Sequence, residues 1–493
     1  MKRTVNVLSK LNWGTRACAV LVLCATTAIA LPAQTLTTLY SFCSLGFPCT
    51  DGEVPFAGLV QATNGDLYGT TLYGGTNGNY GTVFKITPSG TLTTLYSFCP
   101  QTNCTDGAAP QAGLVQAANG DLYGTTLFSG TNGQGMVFKI TQGGTLTTLY
   151  SFCSQTNCTD GANPDAGLVQ AANGDLYGTT AGGGAYGGGT VFEITPDGTL
   201  TTLYSFCSLG FPCTDGVGPA AGLVQATNGD LYGTTFFGGP NGGGTVFKIT
   251  PGGTLTTLYS FCSQSNCTDG AEPEAGLVQA ANGNFYGTTE GGGRANGRYG
   301  TVFKITPTGT LTTLHRFNGT DGTFPYAGLV QAANGDFYGT TGGGGANGNG
   351  TVFKITPTGE LTTLYSFCSQ TNCTDGGQPL AGLVQDANGD FYGTTSGGGG
   401  GPANGTVFRL SVGLGPFLKP RPPYGKVGAA IKILGTNLTG AASVSFDGTA
   451  AVFEVVSSSE ITTTVPAGAS SGAVQVVTPS GTLSSNASFL VVP

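Results

Sequence analysis

One segment repeats through most of this chain, and a repeat limits the possible folds more than any other feature of the sequence. The first complete copy occupies residues 57–98 and reads AGLVQATNGDLYGTTLYGGTNGNYGTVFKITPSGTLTTLYSF. Further copies follow at intervals of 52 to 55 residues until about residue 412. Their Ala-Gly-Leu-Val segments begin at Ala57, Ala112, Ala166, Ala221, Ala275, Ala327 and Ala381. Self-similarity at this period indicates a repeat architecture.

Each copy contains four strand patterns separated by turn signals. In the first copy, AGLVQA and DLYGTT flank Asn64-Gly65, which favours a hairpin because both central residues of a type I′ turn need positive φ. A glycine-rich loop, GTVFKIT, a turn at Pro88-Ser89-Gly90 and TLTTLYSF follow. The repeats lack helical periodicity, and the coils of a parallel β-helix are far shorter. Four antiparallel strands repeated radially therefore predict the blade of a β-propeller.

The register of the repeats predicts how the ring closes. A lone fourth strand, TLTTLYSF at residues 35–42, precedes the first copy, and the seventh copy ends at a third strand, GTVFRLS at residues 405–411. Pairing these two segments would complete the last blade and leave no open sheet edge, which would otherwise promote aggregation. The sequence thus predicts an all-β fold with a seven-bladed β-propeller over residues 34–412, its last blade closed by the N-terminal strand.

Residues 1–33 predict a signal peptide. The apolar run at residues 17–30 is too short to span a bilayer. It follows a basic segment that contains Lys2, Arg3, Lys10 and Arg16. Ala28-Ile29-Ala30 is a typical cleavage motif, and cleavage after Ala33 is the alternative. Cys24 raises a lipoprotein alternative, which the bulky residue before it disfavours. We therefore predict a secreted protein without a transmembrane segment.

Charge excludes one class of partner. The chain has a formal net charge of −8, and removal of the four basic leader residues leaves 13 basic and 25 acidic residues. Charged residues make up only 9% of the chain, against roughly 25% in average globular proteins. There is no basic stripe, so the sequence predicts that nucleic acid is not a partner.

The cysteines favour disulfides over a metal site. Outside the leader they form six local pairs, each between a fourth strand and the next first strand: Cys43/Cys49, Cys99/Cys104, Cys153/Cys158, Cys207/Cys213, Cys262/Cys267 and Cys368/Cys373. Zinc sites usually use CxxC-type spacing and often histidine, whereas this chain has four or five residues between partners and one histidine. We expect six disulfides within loops and neither a metal nor another cofactor.

Two family resemblances extend these expectations. AGLVQAANGDLYGTT and GTVFKITPxGTLTTLYSF resemble the GloVer (Gly-Leu-Val) tandem repeat over residues 35–412, which implies a secreted bacterial protein and no particular chemistry. The proline-rich stretch 413–423 predicts a linker. Residues 424–493 resemble the IPT/TIG immunoglobulin-like domain through Gly435-Thr436-Asn437, Val444-Ser445-Phe446 and Val465-Pro466, together with Gly472 and the segment 476–481. That resemblance implies a β-sandwich spacer or interaction module.

The longer loops predict where function lies. In an up-and-down blade, the cysteine-containing loops and the glycine-rich loops lie on one face, and long loops on a rigid scaffold are the usual location of function. Each cysteine-type loop contains Asp-Gly, at Asp51, Asp106, Asp160, Asp215, Asp269, Asp321 and Asp375. These carboxylates favour local turns, and a ring of Ca²⁺ ligands is the alternative.

Several side chains on this face are candidates for binding. The loop aromatics are expected either to stack on sugar rings or to pack between blades: Tyr73, Phe128, Tyr186, Phe236, Phe237 and Tyr299. The fifth copy departs from the others, and its Arg294, Arg298 and Tyr299 form the candidate binding site because paired guanidinium groups suit an anionic ligand. His315 replaces a strand tyrosine and is expected to be packed.

The sequence favours binding over catalysis. An active site needs several side chains with different roles, and seven nearly identical copies offer little of that asymmetry. Catalysis by a nucleophile that a histidine activates is disfavoured, because the chain has one histidine. We expect a secreted, non-catalytic binding or cell-surface structural protein that contacts extracellular polysaccharide or cell-surface components through the long-loop face. An extracellular carbohydrate-active enzyme, a hydrolase or lyase with paired carboxylates, is the alternative.

Overall fold

The computed structural model describes residues 34–44, 46–294, 297–400 and 404–492. The predicted signal peptide, with its alternative cleavage sites, lies outside these residues. Seven four-stranded antiparallel sheets follow the repeat, and we number them blade 1 to blade 7 in the order of the Ala-Gly-Leu-Val segments. The fold is the predicted seven-bladed β-propeller, followed by an immunoglobulin-like domain.

Each blade contributes four strands in chain order. The first strands are Val60–Gln61, Val115–Gln116, Val169–Gln170, Val224–Gln225, Val278–Gln279, Val330–Gln331 and Val384–Gln385. The second strands are Leu67–Thr71, Leu122–Thr126, Leu176–Thr180, Leu231–Thr235, Phe285–Thr289, Phe337–Thr341 and Phe391–Thr395. The third strands are Thr82–Ile86, Met136–Ile140, Thr190–Ile194, Thr245–Ile249, Thr301–Ile305, Thr351–Ile355 and Thr406–Ser411.

The fourth strands form the outer edge of each blade. They are Leu92–Ser97, Leu146–Ser151, Leu200–Ser205, Leu255–Ser260, Leu311–Arg316, Leu361–Ser366 and, for blade 7, Thr35–Ser41. Blade 7 is closed as predicted, because Thr35 pairs with Ser411 and Ser41 with Thr406. The helical structure among the described residues is limited to 3₁₀ turns in four cysteine loops: Thr102–Cys104, Thr156–Cys158, Ser265–Cys267 and Thr371–Cys373.

The Asn-Gly hairpins form as the sequence predicts, but their turns are not type I′, because the glycine has positive φ and the asparagine before it does not. The N–H of Gly65 donates to Ala62 O at 2.9 Å, which places Asn64 inside the turn. In blade 1, Gly65 has a φ of 85°, and the backbone N–H of Asp66 donates to Asn64 Oδ1 at 3.0 Å. The first strand is shorter than the AGLVQA pattern because only Val60 and Gln61 join the ladder. The glycine before them instead lies against the neighbouring blade.

Glycines bring the blades together at the centre of the ring. A Cβ on Gly58 would lie 3.2 Å from the carbonyl oxygen of Gly382, and the equivalent glycine of every blade has the same relation to the blade before it. Thr70 Oγ1 also donates to Ala112 O of the next blade at 3.0 Å. This bond occurs at all seven junctions, and Thr394 to Ala57 closes the circle at 3.0 Å.

The hydrophobic core lies between blades. Tyr68 and Phe98 of blade 1 pack with Leu122 and Phe138 of blade 2 in one buried cluster. An equivalent cluster fills each interface, including the one in which Tyr392 of blade 7 meets blade 1. Since a fully buried large apolar side chain contributes about 1.5–3 kcal/mol, each blade depends on both neighbours for its stability.

The C-terminal domain is a small β-sandwich. One sheet orders Lys419–Arg421, Ala430–Leu434, Glu460–Thr464 and Phe453–Val455, and the other orders Thr449–Ala451, Ser443–Phe446, Val474–Thr478 and Gly481–Ser484. Tyr424–Lys426 and Leu490–Val492 form a parallel pair. The domain begins inside the stretch 413–423 predicted as a linker, because Leu418 is buried in its core and Lys419–Arg421 is already a strand. Lys419–Arg421 is an edge strand, and Pro420 is tolerated there because proline has no backbone N–H to pair with a further strand.

No helix in the described ranges is long and apolar enough to span a bilayer.

Candidate functional site

The two kinds of long loop form one continuous face, as predicted. We call it the long-loop face; the opposite side, with the Asn-Gly and Pro-x-Gly turns, is the turn face. In blade 1, Glu53 and Tyr73 form a β-bridge between the cysteine loop and the glycine-rich loop. The N–H of Gly75 also donates to Cys49 O at 2.9 Å. Corresponding bridges join the two loops in the other blades, so each blade presents its two long loops as a hydrogen-bonded pair.

The C-terminal domain lies on the turn face. Lys419 Nζ donates to Gln385 O at 2.7 Å and to Gln61 Oε1 at 2.8 Å. Asn486 Nδ2 donates to Gln331 O at 3.2 Å, and clefts between the domain and the ring are lined by turn residues of blades 1 to 5. The long-loop face is therefore the side of the ring that this domain leaves open.

The cysteine loops contain six disulfides and a repeated buried carboxylate. The six predicted pairs are bonded: Cys43–Cys49, Cys99–Cys104, Cys153–Cys158, Cys207–Cys213, Cys262–Cys267 and Cys368–Cys373. In the loop between blades 2 and 3, Asp160 accepts from Tyr150 Oη at 2.8 Å and from Ser154 N and Oγ at 2.9 Å each. The corresponding aspartates accept from the equivalent tyrosine in five other loops.

These carboxylates hold the loops in shape, which supports the turn interpretation over the calcium alternative. Burial acts to raise the pKa of Asp375, but the hydrogen bonds from Ser369 and Tyr365 outweigh it and lower that pKa. In three loops these hydrogen bonds go to Oδ2 alone, because Oδ1 of Asp51, Asp106 and Asp215 is buried and has no hydrogen-bond partner. In the described ranges, the one group of three potential metal ligands is Cys43, Cys49 and Glu53, and both of its sulfurs are in a disulfide.

The loop before blade 6 lacks cysteines and keeps the carboxylate. His315 Nε2 and Asp321 Oδ2 are 2.9 Å apart, and Asn318 donates to the same carboxylate through N and Nδ2, each at 2.8 Å. The His315 ring lies edge-on to Phe317. His315 occupies the fourth-strand position at which the other copies have tyrosine. It is a packed, hydrogen-bonded residue, as expected.

Some of the predicted loop aromatics are exposed and others are packed. Tyr73, Phe128 and Phe237 occupy one repeat position and are 41%, 51% and 49% exposed, and Tyr186 is 59% exposed. Phe236 is half-buried, and its ring lies edge-on to that of Phe237. Sequence reasoning missed three further exposed aromatics. Tyr80 lies in the glycine-rich loop of blade 1, and Phe47 and Phe211 lie in cysteine loops that are one residue longer than the others.

The residues of the predicted arginine site lie on a small hairpin in blade 5. Gly293–Arg294 pairs with Gly297–Arg298, and the two arginine side chains lie outside the described part of the structure. Tyr299 is half-buried and packs against the cluster between blades 5 and 6. Its carbonyl oxygen accepts from Phe324 N at 3.2 Å. The tyrosine thus has a packing role, while binding by the arginine pair stays a prediction.

An acidic cluster at the centre of the ring was not found from the sequence. Glu274 precedes the first strand of blade 5, Glu290 directly follows its second strand, and the two side chains are hydrogen-bonded to each other. Burial, Glu290 and Asp165 raise the pKa of Glu274 to about 7. Burial alone raises the pKa of Asp165, from blade 3, to about 6, and its Oδ1 has no hydrogen-bond partner.

Tyr326 of blade 6 completes this cluster. Burial and a hydrogen bond with Glu290 raise its pKa to about 12. Asp165, Glu274 and Tyr326 share one position, immediately before Ala-Gly-Leu-Val. Aligning the copies at that variable position would have indicated the cluster, because the other copies have Phe, Gln, Ala and Leu there.

Comparisons with known proteins identify the parts of the chain. No curated protein is similar to it in sequence. A fungal alcohol oxidase of the AA5 family, solved in complex with copper, shares 14% identity over 93% of this chain and 99% of its own, with a TM-score of 0.49. The periplasmic gluconolactonase PpgL of Pseudomonas aeruginosa shares 17% identity over 63% of this chain and 84% of its own, with a TM-score of 0.41.

A putative 6-phosphogluconolactonase of Bacteroides fragilis shares 20% identity over 69% of this chain and 88% of its own, with a TM-score of 0.41. The IPT/TIG domain model matches residues 420–491. The model of the Gloeobacter/Verrucomicrobia repeat matches residues 99–296 and 261–418, which is more than half of the chain. The chain therefore belongs to the Gloeobacter/Verrucomicrobia repeat family and carries an IPT/TIG domain after its repeats.

Proposed function

We propose that this chain is a secreted, non-catalytic protein that binds extracellular polysaccharide on the long-loop face of its propeller. The observation that carries the proposal is the set of exposed aromatic rings on this face. Tyr73, Phe128 and Phe237 stand at one repeat position, on blades 1, 2 and 4. Aromatic faces pack well against the apolar C–H faces of sugar rings and add little entropy cost, since their side chains have few rotatable bonds.

The same repeat position shows that these rings are dispensable for the fold. Blades 3, 5, 6 and 7 have glycine there, at Gly182, Gly291, Gly343 and Gly397, and form the same bridge to the cysteine loop. Exposed apolar rings that the architecture does not need are typical of binding surfaces.

Repetition and location also support a polymer ligand. A ring of similar shallow sites suits a repeating ligand, because weak contacts on one molecule combine through a high effective concentration. The predicted leader and the six disulfides fit an oxidising, extracellular setting, where polysaccharides occur. The IPT/TIG domain occupies the turn face and leaves the aromatic face accessible.

A polysaccharide pull-down tests this function. The mature chain is mixed with insoluble cellulose, chitin, xylan and starch, and with pectin and alginate immobilised on beads. We expect retention on at least one neutral polymer, and a loss of at least tenfold in affinity when Tyr73→Gly, Phe128→Gly and Phe237→Gly are combined. Glycine is the matched substitution because four blades already carry it.

Val452→Ser provides the control, since this side chain is 89% exposed but lies on the IPT/TIG domain. Equal affinity of the triple variant and the control would reject the aromatic face as the binding surface. Failure of the wild-type chain to bind any of the six polymers would reject the function.

The arginine pair of blade 5 makes a separate prediction about charge. If Arg294 and Arg298 contact acidic sugars, Arg294→Ala with Arg298→Ala will weaken retention on pectin and alginate by several-fold more than retention on neutral polymers. Equal retention of the double variant and wild type on the acidic polymers would remove this site and leave the aromatic face unaffected.

The acidic cluster favours one second candidate, a carbohydrate-active enzyme. Glu274, whose pKa is raised to about 7, would be the proton donor of a glycoside hydrolase, with Glu290 beside it as a second carboxyl group. The two groups are within hydrogen-bond contact, closer than the roughly 5 Å of a retaining pair, so Asp165 would have to supply the second carboxylate. For that reason catalysis stands second.

Product analysis on the pull-down samples tests catalysis directly. Release of soluble sugars by the wild type, and its loss by at least a hundredfold in Glu274→Gln, would establish the enzyme. Binding without soluble products at any pH between 5 and 8 would exclude hydrolysis and lyase activity on these polymers.

A further inference from the structure

We infer that two matching loops, one before blade 1 and one before blade 4, are paired contact points for a single neutral polysaccharide chain. The inference rests on the function proposed above and specifies how the ligand lies. Both loops read Cys-Ser-Leu-Gly-Phe-Pro-Cys, at residues 43–49 and 207–213, and we call them the Phe loops.

The aromatic side chain of each Phe loop is almost fully exposed. Phe47 is 93% exposed and Phe211 is 96% exposed, and Leu209 beside it is 73% exposed. These are the most exposed aromatic rings among the described residues. An apolar ring with no intramolecular contact gains free energy only when a partner covers it.

The fold does not require these rings. The other four cysteine loops are one residue shorter and have Gln-Thr-Asn or Gln-Ser-Asn where the Phe loops have Leu-Gly-Phe-Pro. Both kinds of loop are built on the same carboxylate: Asp215 accepts from Tyr204 Oη at 2.8 Å, as Asp160 does from Tyr150. The chain thus contains its own evidence that a cysteine loop folds without phenylalanine.

The Phe loops also present their rings on a stiff support. The second loop has a disulfide between Cys207 and Cys213, and Gly210 N donates to Cys207 O at 3.1 Å. Cys213 N donates to Gly210 O at 2.7 Å. A loop that is ordered before binding loses little conformational entropy when the ligand arrives.

Each Phe loop is joined to a second exposed ring. The bridges Glu53 to Tyr73 in blade 1 and Val217 to Phe237 in blade 4 connect the Phe loop to the glycine-rich loop of its blade. Blades 1 and 4 therefore carry equivalent aromatic pairs, Phe47 with Tyr73 and Phe211 with Phe237. The two pairs lie on one face, three blades apart in a ring of seven, so a chain that touches both passes over the mouth of the central channel.

The chemistry of the loops selects a neutral sugar chain. Residues 43–49 and 207–213 contain no lysine, arginine, aspartate or glutamate, so neither loop offers a charge partner to an acidic polymer or to lipid headgroups. Two equal subsites on one rigid ring would raise the affinity for a long chain by a factor of about 10² or more over that for a short one.

Loop exchange tests the inference. Residues 44–48, residues 208–212, or both segments are replaced by the Ser-Gln-Thr-Asn sequence of residues 154–157, and short oligosaccharides of the best neutral polymer from the pull-down are titrated by calorimetry. We expect two equivalent sites in the wild type, one in each single exchange and none in the double exchange. For the full-length polymer, each single exchange should lower the affinity by at least tenfold.

The outcomes separate this inference from the proposed function. Retention of polymer binding with unchanged stoichiometry in the double exchange would overturn the paired subsites and leave the function intact. Absence of polymer binding in the wild type would overturn both. Loop-dependent binding to phosphatidylcholine vesicles, or loop-dependent self-association in sedimentation experiments, with no loss of oligosaccharide binding, would assign the Phe loops to a membrane or to a second copy instead.

Discussion

At the scale of single residues, the packing of the seven blades around the ring depends on the glycine of each Ala-Gly-Leu-Val segment, which lies against the backbone of the preceding blade. A Cβ on Gly328 would lie 2.8 Å from Gly276 O, whereas a Cβ on Gly222 would lie 3.4 Å from Gly167 O. The first distance is shorter than any normal contact with a backbone oxygen, and the second is ordinary van der Waals contact. The glycine of Ala-Gly-Leu-Val is therefore a steric requirement, and its stringency varies around the ring.

This difference predicts unequal effects of one substitution at equivalent positions. We expect Gly328→Ala to lower the free energy of unfolding by about 1–3 kcal/mol, because the blades must move apart. Gly222→Ala is the matched control and should change it by less than about 1 kcal/mol. Urea unfolding of both variants measures the effect, and equal losses would show that the central contact does not limit packing.

The acidic cluster predicts a dependence of stability on pH. Because burial and Glu290 raise the pKa of Glu274 to about 7, the folded state holds this proton more tightly than the unfolded state, whose pKa is about 4.3. The stability that this proton contributes to the folded state is fully present below a pH of about 4.3 and is lost as pH rises through 7. We expect the wild type to lose about 1–3 kcal/mol of stability between pH 5 and pH 8 from this group.

Glu274→Gln should flatten this part of the profile, because glutamine does not titrate. The exposed Glu360→Gln serves as the control and should leave the slope unchanged. Thermal unfolding of the three proteins at pH 5, 6, 7 and 8 gives the comparison. A wild-type profile as flat as that of Glu274→Gln would mean that the cluster ionises without penalty.

At the scale of elements, the cysteine loops combine a disulfide with a buried carboxylate. A closed loop this short accounts for about 2 kcal/mol at most by chain entropy. Asp269 accepts from Tyr259 Oη at 2.8 Å and from Ser263 N and Oγ at 2.9 Å each, and its loss would leave buried donors unpaired. The loop before blade 6 keeps the carboxylate without a disulfide, so the carboxylate is the more general device.

This comparison predicts an order of effects in the loop before blade 5. Cys262→Ser with Cys267→Ser should lower the free energy of unfolding by about 2 kcal/mol or less. Asp269→Ala should lower it by about 3 kcal/mol, because a charged acceptor disappears from three hydrogen bonds. Denaturant titration compares the two, and a larger loss for the cysteine variant would reverse this assignment.

The N-terminal strand is the element on which the whole ring depends. Thr35–Ser41 pairs along Thr406–Ser411, and without it that third strand becomes an exposed edge. We expect deletion of residues 34–42 to lower the melting temperature and to produce dimers or larger species in sedimentation experiments. A synthetic peptide of residues 34–44 should restore monomers, whereas a scrambled peptide should not. A truncated ring that stays monomeric and melts like the full chain would refute closure by this strand.

The elements that could be predicted from the sequence are those fixed by local pattern. Asn64-Gly65 predicts its hairpin through backbone conformation alone, and the unpaired TLTTLYSF predicts ring closure by counting strands. The shortness of the first strand could not be predicted, because it results from contact between Gly58 and a residue 324 positions later, Gly382. The cluster around Glu274 was missed because it joins residues of blades 3, 5 and 6, although the variable position before Ala-Gly-Leu-Val contains a signal for it.

At the scale of the whole molecule, one residue of blade 7 links the ring to the IPT/TIG domain. Asp386 stands where the six other blades have alanine, and it accepts from Gln61 Nε2 of blade 1. Gln61 Oε1 in turn accepts from Lys419 Nζ. Burial and the nearby Arg421 lower the pKa of Lys419 to about 7, and Asp386 acts against that shift. The carboxylate therefore stabilises a cation held between the two domains.

Asp386→Ala should uncouple the domains without disturbing the blade, because alanine is the residue of every other copy at this position. We expect docking to weaken by about 1–2 kcal/mol at pH 7, since Lys419 would lose its one opposite charge but remains partly exposed. In calorimetry, the single unfolding transition expected for the wild type should separate into two, and chymotrypsin should cut faster after Phe417, which is buried in the docked state. Lys426→Ala, an exposed residue of the same domain, is the control and should leave both properties unchanged. A single transition at the wild-type temperature in Asp386→Ala would show that the other contacts hold the domain on the turn face without this carboxylate.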